Sequence, residues 1–139
     1  MITRRSRARE VVLQLLYQHD QNRAFDQEAA RQFMRRRLQD ESLEKLAETI
    51  YSGAVTHKAE IDEKLSAVAE NWSVTRMAVV DRNLLRLSAY ELLFEPDTPP
   101  KVVIDEAVEL AKRYGTAESS AFVNGILDRL AQQKLKPTE

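Results

Sequence analysis

Glycine and proline are scarce in this sequence: three glycines and four prolines are spread over 139 residues. Between them, apolar residues recur every three or four positions, which is the spacing of one face of an α-helix. No segment alternates strictly between apolar and polar residues, as a half-buried β-strand would. The sequence therefore predicts an all-α fold, a compact bundle of about seven helical segments.

Local signals set the predicted limits of these segments. Asp26 is placed to cap the second helix, Ser42 offers a cap for the third, and Gly115 stands at the C-terminal cap of the sixth. The third helix is the longest, and Gly53 inside it marks either a close helix approach or a bend. The fifth segment is apolar over most of its circumference, so we expect it to be the buried central helix. The predicted ranges are 3–19, 27–38, 43–72, a short turn near 73–76, 77–94, 101–114 and 119–133.

We expect one domain over residues 1–139, formed by an N-terminal half, 1–72, and a C-terminal half, 73–139. No stretch approaches the roughly 18 apolar residues of a membrane span, and the basic N-terminus lacks the apolar segment of a secretory signal. The sequence contains no cysteine, which excludes disulfides and thiolate metal sites and fits a reducing cytosol. We therefore expect a cytoplasmic protein.

Motifs that would support catalysis are few. His19 and His57 lie far apart, and neither falls in a metal-ligand spacing. Asp105 and Glu109 form an i, i+4 pair of acids, but Lys101 and other basic residues on the same helix favour ordinary surface charge patterning. The isolated glycines form no phosphate-binding loop. We therefore expect no enzymatic activity, no metal and no cofactor.

The net charge of −1 conceals an uneven distribution, because residues 1–37 carry a balance of +5 and residues 38–139 a balance of −6. Such a basic end suggests a surface that faces a polyanion. Its densest part places four arginines within six residues of the first predicted helix, namely Arg4, Arg5, Arg7 and Arg9. A cluster of this density attracts phosphates and releases counterions.

Tyr17 lies nine residues after Ala8, and at about 100° per residue this places it opposite the apolar stripe of the first helix. An exposed ring beside arginines suits RNA, since rings stack on unpaired bases while guanidinium groups hold phosphates. The alternative, equally open, is that Tyr17 covers another helix and the arginines only make the terminus soluble. Residues 35–37, all arginine, spread around their helix, so we interpret them mostly as a solvated face.

Three long segments, taken together, resemble the NusB family. They are SRAREVVLQLLYQHD near the N-terminus, RMAVVDRNLLRLSAYELLF in the centre and PPKVVIDEAVELAKRYGTAESSAFVNGILDRL near the C-terminus. The similarity covers nearly the whole chain in register and is weakest across residues 21–60. It implies an all-helical fold of two packed subdomains and a non-catalytic role in transcription antitermination.

The resemblance also implies specific partners. Family members bind the boxA element of nascent ribosomal RNA leader transcripts as a single strand, jointly with NusE, which is also a protein of the small ribosomal subunit. The complex helps assemble a modified RNA polymerase that reads through terminators and supports ribosomal RNA transcription. Some members form homodimers, so the oligomeric state stays open.

The resemblance implies which residues of this sequence form the RNA site. In the first helix, Arg5, Arg7, Arg9 and Tyr17 match RNA-site positions of the family, and Arg4 lies just outside them. Near the last helix, Glu118 and Phe122 also match positions associated with the RNA site. Glu118 is expected to limit affinity or to accept a hydrogen bond from a base edge. For Phe122, which shares an apolar stripe with Ile126 and Leu130, core packing is the favoured alternative.

The NusE-facing acidic position of the family matches Asp81, next to Arg82. A carboxylate there would meet a basic ribosomal protein favourably. A local cap or an ion pair with Arg86 is an equally weighted alternative. Arg86 and Lys101 are predicted to extend the basic surface towards the partner.

Two other interpretations compete with the antitermination role. A domain similar to NusB forms the N-terminal part of some ribosomal RNA cytosine methyltransferases. This chain could then only be a detached fragment, which we do not expect, because its 139 residues do not include a cofactor-binding α/β domain. The second is a helical protein–protein interaction module, or a homodimer, whose basic helix is a packing surface. Salt dependence separates this second alternative from RNA binding, because phosphate contacts weaken as salt rises.

Overall fold

A computed structural model describes residues 4–22, 26–70 and 72–135, with side chains for residues 5–22, 26–70 and 72–133. These ranges contain seven α-helices and one 3₁₀ turn and no β-strand, which confirms the predicted all-α class. None of the described helices is both long enough and apolar enough to cross a membrane. The elements are α1 (Arg4–Gln21), α2 (Gln27–Leu38), α3 (Glu41–Thr56), α4 (Lys58–Val68), the 3₁₀ turn (Val74–Arg76), α5 (Val79–Phe94), α6 (Pro100–Tyr114) and α7 (Ser119–Leu135).

Side-chain caps explain where two of the helices begin. Asp26 accepts a hydrogen bond from the backbone N–H of Ala29 at 2.7 Å, so α2 starts where the sequence predicted. The predicted cap of α3 at Ser42 is wrong. Asp40 fills this role, since its side chain accepts from the N–H of Leu43 at 3.1 Å.

The prediction of one long third helix is also wrong, because the chain forms α3 and α4 and breaks between them at His57. His57 has φ −101° and ψ 18°, outside the regular helical range. Its ring stacks on Phe94 of α5, with 4.3 Å between ring centroids. The break lets α4 turn and pack against α5 and α7.

Gly53 marks a close approach of α3 to α5, one of the two predicted alternatives. A Cβ atom at this position would lie 2.1 Å from Cε1 of Tyr90. The absence of a side chain therefore lets the Tyr90 ring lie directly against the backbone of α3.

The central position of α5 is confirmed. It packs against α1, α3, α4, α6 and α7, and nearly all of it from Asp81 to Leu92 is buried. One continuous hydrophobic cluster collects side chains from all seven helices. The two predicted halves thus share a core, and a subdomain boundary at residue 72 stays a prediction.

We expect Gly53→Ala to lower the free energy of unfolding by about 1–3 kcal/mol, because the new methyl group overlaps the Tyr90 ring. This loss should exceed the gain of about 1 kcal/mol that alanine brings to a helix interior. Urea denaturation measures the difference. Gly125→Ala is the matched control, since Arg129 Nη1 at 3.7 Å is the nearest atom to its Cβ, and it should gain stability. Equal gains for both variants would contradict the close approach.

Candidate nucleic-acid interface

The orientation of α1 follows its apolar stripe. Ala8, Val12 and Leu15 are fully buried, whereas Tyr17 is 46% exposed, as the helical spacing predicted. Arg5 and other polar residues of α1 face solvent on the same element. The helix therefore separates a core face from a face that a ligand can reach.

Not all of the predicted arginine cluster lies on the exposed face. Arg5 and Arg7 are exposed, and the side chain of Arg4 lies outside the described side chains. Arg9 is only 2% exposed, which corrects the predicted cluster. It follows Ala8 directly, so it sits beside the apolar stripe and turns towards α5 and α6.

Arg9 is held by two carboxylates. Its Nε and Nη2 donate to the two carboxylate oxygens of Glu91, 1% exposed, at 2.6 and 2.9 Å, and its Nη1 donates to Glu106 at 3.1 Å. The hydroxyl of Ser6 donates to the other oxygen of Glu106. Burial acts to lower the pKa of Arg9, but Glu91 and Glu106 outweigh it and raise that pKa. This network ties α1 to α5 and α6.

A groove with a volume of about 380 Å³ opens beside Tyr17, where α1, α2, α5 and α6 meet. Tyr17, Phe33 and Tyr114 give it aromatic walls, and Tyr114 is 38% exposed. The guanidinium of Arg37 also lines it and lies 4.8 Å from the centre of the Phe33 ring. Burial and the nearby carboxylate of Glu10 raise the pKa of Tyr114, so its hydroxyl stays protonated at neutral pH.

A hydrogen bond joins Arg37 of the groove to a basic residue of α1. Arg7 Nη2 donates to the backbone carbonyl oxygen of Arg37 at 3.1 Å. Residues 35–37 are exposed, as predicted, but Arg37 also belongs to the groove. Phe33, Arg37 and Tyr114 were missed by the sequence prediction, because no local pattern says which helix faces α2.

The two predicted RNA-site positions at the beginning of α7, Glu118 just before it and Phe122 within it, differ in exposure. Glu118 is exposed and accepts a hydrogen bond from the Thr116 hydroxyl at 3.2 Å. Phe122 is partly buried against the core, and its ring meets Trp72 edge to face, with centroids 6.1 Å apart. Trp72 is 49% exposed. Phe122 therefore packs inward while one side borders an exposed aromatic surface.

Two of the predicted partner positions are held in ion pairs, with Arg86 buried and Arg82 partly buried. Arg86 is buried, and its Nε and Nη2 donate to the two carboxylate oxygens of Asp62 at 2.9 and 3.0 Å. Arg82 Nε donates to Asp20 at 2.7 Å, and Asn83 Nδ2 donates to the same oxygen at 2.9 Å. Arg86 therefore does not extend an exposed basic surface, which corrects that prediction. Both arginines are paired with carboxylates of neighbouring helices.

The other two partner positions lie near helix starts. Asp81 is in the first turn of α5, and its Oδ1 is buried without a hydrogen-bond partner among the described residues. The alternative ion pair with Arg86 does not form there, since Arg86 pairs with Asp62. Lys101 is exposed at the start of α6 and pairs with Asp105 at 3.1 Å, which confirms the predicted surface charge patterning.

Within the described residues, no group of three or more His, Cys, Asp and Glu side chains is arranged to hold a metal ion. His19 borders a pocket with Asp20, Lys58 and Arg86. Burial, together with the charges of Lys58 and Arg86, lowers the pKa of His19. The imidazole is therefore neutral at neutral pH and adds no charge to the surface.

Comparison with known proteins places this geometry in a family context. The NusB family model matches residues 6–132. A transcription antitermination protein NusB from Anaeromyxobacter dehalogenans is 46% identical over 132 residues, covering 94% of this chain and 92% of that protein. One from Desulfitobacterium hafniense is 54% identical over 93 residues, a match that spans 67% of this chain and 63% of the relative's length.

Solved structures of NusB proteins are also similar to this chain. The structure of T. maritima NusB superposes with a TM-score of 0.82 at 45% identity, covering 96% of this chain and 94% of that one. A chain in the crystal structure of the antitermination factors NusB and NusE in complex with double-stranded RNA gives a TM-score of 0.84 at 28% identity, covering 96% of this chain and 99% of that one.

We expect Arg9→Met to lower the free energy of unfolding by about 3–5 kcal/mol, because Glu91 would stay buried without its partner. Urea denaturation at neutral pH measures this loss. Arg5→Met removes an exposed arginine from the same helix and should change stability by less than about 0.5 kcal/mol. Equal stability of the two variants would show that the Arg9 pair does not anchor α1.

The Asp20 pair should make stability depend on pH. Burial acts to raise the pKa of Asp20, but hydrogen bonds from Arg82 and Asn83 and nearby positive charges lower it overall. Its folded pKa then lies below the unfolded value of about 3.9, so its contribution is present at neutral pH and lost as pH falls through the folded pKa.

We therefore expect the free energy of unfolding to fall more steeply below about pH 4 in the wild type than in Asp20→Asn, which lacks the titrating group. Denaturation at several pH values measures the slopes. Asp97→Asn, which changes an exposed acid, should keep the wild-type slope. If the free energy of unfolding of Asp20→Asn falls below about pH 4 as steeply as that of the wild type, the Asp20 pair does not cause the pH dependence.

Proposed function

This chain belongs to the NusB family, and we propose that it acts as a transcription antitermination protein that binds RNA together with a NusE protein. The name of its relatives and the solved complex of NusB and NusE with RNA support the proposal. The observation that carries it is the exposed Tyr17 at a groove that Arg37 lines, with Arg7 hydrogen-bonded to the backbone of Arg37. Such a site offers rings for bases and cations for phosphates.

We propose the boxA element of ribosomal RNA leader transcripts as the RNA, in single-stranded form, as the resemblance of the sequence implies. Arg5 and Arg7 are exposed and placed to contact phosphates. Tyr17 stacks on a base, and Glu118 accepts a hydrogen bond from a base edge while Phe122 supports the surface beside it. Arg9 has a different role in this proposal, because it positions α1 from the inside.

We propose that the first turn of α5 faces NusE. Asp81 is only 9% exposed there, so it contributes a negative charge just below the surface, which complements a basic ribosomal protein. Arg82 and Arg86 hold this end of α5 through Asp20 and its neighbours, so their contribution is positional. Lys101, exposed at the start of α6, is a further proposed contact.

In this proposal the chain is an adaptor without catalytic activity. It works in the cytoplasm and helps assemble the RNA polymerase complex that reads through terminators. The alternative is a homodimer that packs through its basic helix. A two-fold contact through this face would bring the exposed Arg5, Arg7 and Arg37 of both copies together, and this like-charge repulsion favours RNA as the ligand.

Fluorescence anisotropy tests the proposal with a boxA-like single-stranded RNA and a scrambled RNA, with and without NusE. We expect boxA to bind more tightly, NusE to strengthen binding, and the logarithm of affinity to fall with log salt by about 0.7 per phosphate contact. Tyr17→Ala should weaken binding by about 1–3 kcal/mol through lost stacking. Equal, weak binding of both RNAs with NusE present would refute the antitermination role.

Two charge variants test whether RNA binding depends on this site or on the net charge of the protein. Arg7→Gln should reduce the salt slope by about 0.7, because it removes one phosphate contact. Lys64→Gln removes an exposed charge from α4, which packs against α5 and α7, and should bind as the wild type does. Equal losses in the two variants would mean that binding follows overall charge rather than this site.

A further inference from the structure

We propose that α2 completes a site for one unpaired nucleobase, in which the groove between Tyr17, Phe33, Arg37 and Tyr114 receives a base of single-stranded RNA. The inference rests on the proposed function and adds α2 to the proposed RNA-binding surface. This helix is Gln27–Leu38, and it contributes Phe33 and Arg37 to the groove.

The shape of the groove suits a flat ring. Its volume of about 380 Å³ lies at the lower end of the roughly 300–1,000 Å³ of small-molecule sites. Leu13 and Val80 add apolar surface to its lining, and the rings of Tyr17 and Tyr114 stand at its walls. A nucleobase has an apolar face on each side and polar atoms on its edge, so it fills such a slot through stacking.

Arg37 distinguishes this groove from a purely apolar one. Arg31 and Arg35 of the same helix lie near the carboxylates of Glu48 and Glu44. Among the described residues, Arg37 has no carboxylate within ion-pair distance, and its guanidinium instead stacks on Phe33. A planar cation held in this way presents both a stacking face and a charge for the phosphate beside the base.

A second cation lies next to Arg37. Arg7 of α1 does not line the groove itself, but its Nη2 donates to the backbone carbonyl oxygen of Arg37 at 3.1 Å. The phosphates on either side of an inserted base carry the complementary charge to these two arginines. Two positive charges beside an aromatic groove favour a nucleic acid over a neutral ligand.

The groove also carries groups that can read a base. Gln14 and Gln18 line it from α1, one helical turn apart and on the same face as each other. Each amide offers both donors and an acceptor, which match the edge of an unstacked base. A second copy of this chain that docked through the same face would bring the like charges of Arg7 and Arg37 together.

An abasic scan of a boxA-like single-stranded RNA tests the site by anisotropy, with the full-length chain and NusE. Each nucleotide in turn is replaced by one that lacks its base. We expect one position at which the wild type loses about tenfold in affinity through lost stacking. Arg37→Gln and Phe33→Leu already lack the site, so the abasic change at that position should not lower their RNA affinity further.

Controls keep the test independent of folding and charge. Arg37→Gln alters an exposed side chain, and Phe33→Leu keeps an apolar group against the core, so thermal melting should stay close to wild type. Arg35→Gln makes the same change two residues away, outside the groove, and should keep the full effect of the abasic position.

The outcomes distinguish this inference from the proposed function. If the wild type binds boxA RNA and each abasic substitution weakens the binding of Arg37→Gln as much as it weakens that of the wild type, RNA binding stands and the base site is refuted. If Arg37→Gln changes only self-association in sedimentation, a second copy occupies the groove and the base site is refuted. If the wild type binds no RNA with NusE present, the proposed function fails and the base site fails with it.

Discussion

The buried pairing of Arg9 with Glu91 and Glu106 is the constraint on which the functional face depends. Apolar packing is not directional, so a helix held by packing alone can rotate slightly about its axis. Hydrogen bonds between a guanidinium and two carboxylates are directional and fix that rotation. The removal of one partner leaves a buried charge without compensation, so the pair specifies one orientation of α1 on α5 and α6. That orientation turns Tyr17 to solvent.

A second polar network holds the other end of α1. Asp20 accepts hydrogen bonds from Arg82 and Asn83 of α5, and Arg86 joins it to Asp62 of α4. With Arg9 near its start and Asp20 near its end, α1 is fastened to the central helix at two points. Arginines that look like surface charges in the sequence thus stabilise the interior, because each meets a carboxylate from another helix. The exposed basic face is narrower than the sequence implies.

The proposed RNA face is a product of helix packing rather than of one helix. α1 provides Tyr17 and Arg7, α2 provides Phe33 and Arg37, and α6 provides Tyr114. Each helix is anchored in the shared core, so the backbone positions that carry these rings and cations are fixed before any ligand arrives. Preorganisation of this kind suits an adaptor, since binding then need not order the backbone and loses less entropy.

The sequence by itself determined the all-α class, the limits of α2, the buried central helix and the outward position of Tyr17. These follow from helical periodicity and from caps such as Asp26, which act within a few residues along the chain. Tertiary structure decided the break at His57, the inward turn of Arg9 and the meeting of Phe33 with the α1 groove. Each of these depends on which helices come to face one another, and contacts between residues far apart in sequence leave no local pattern to read.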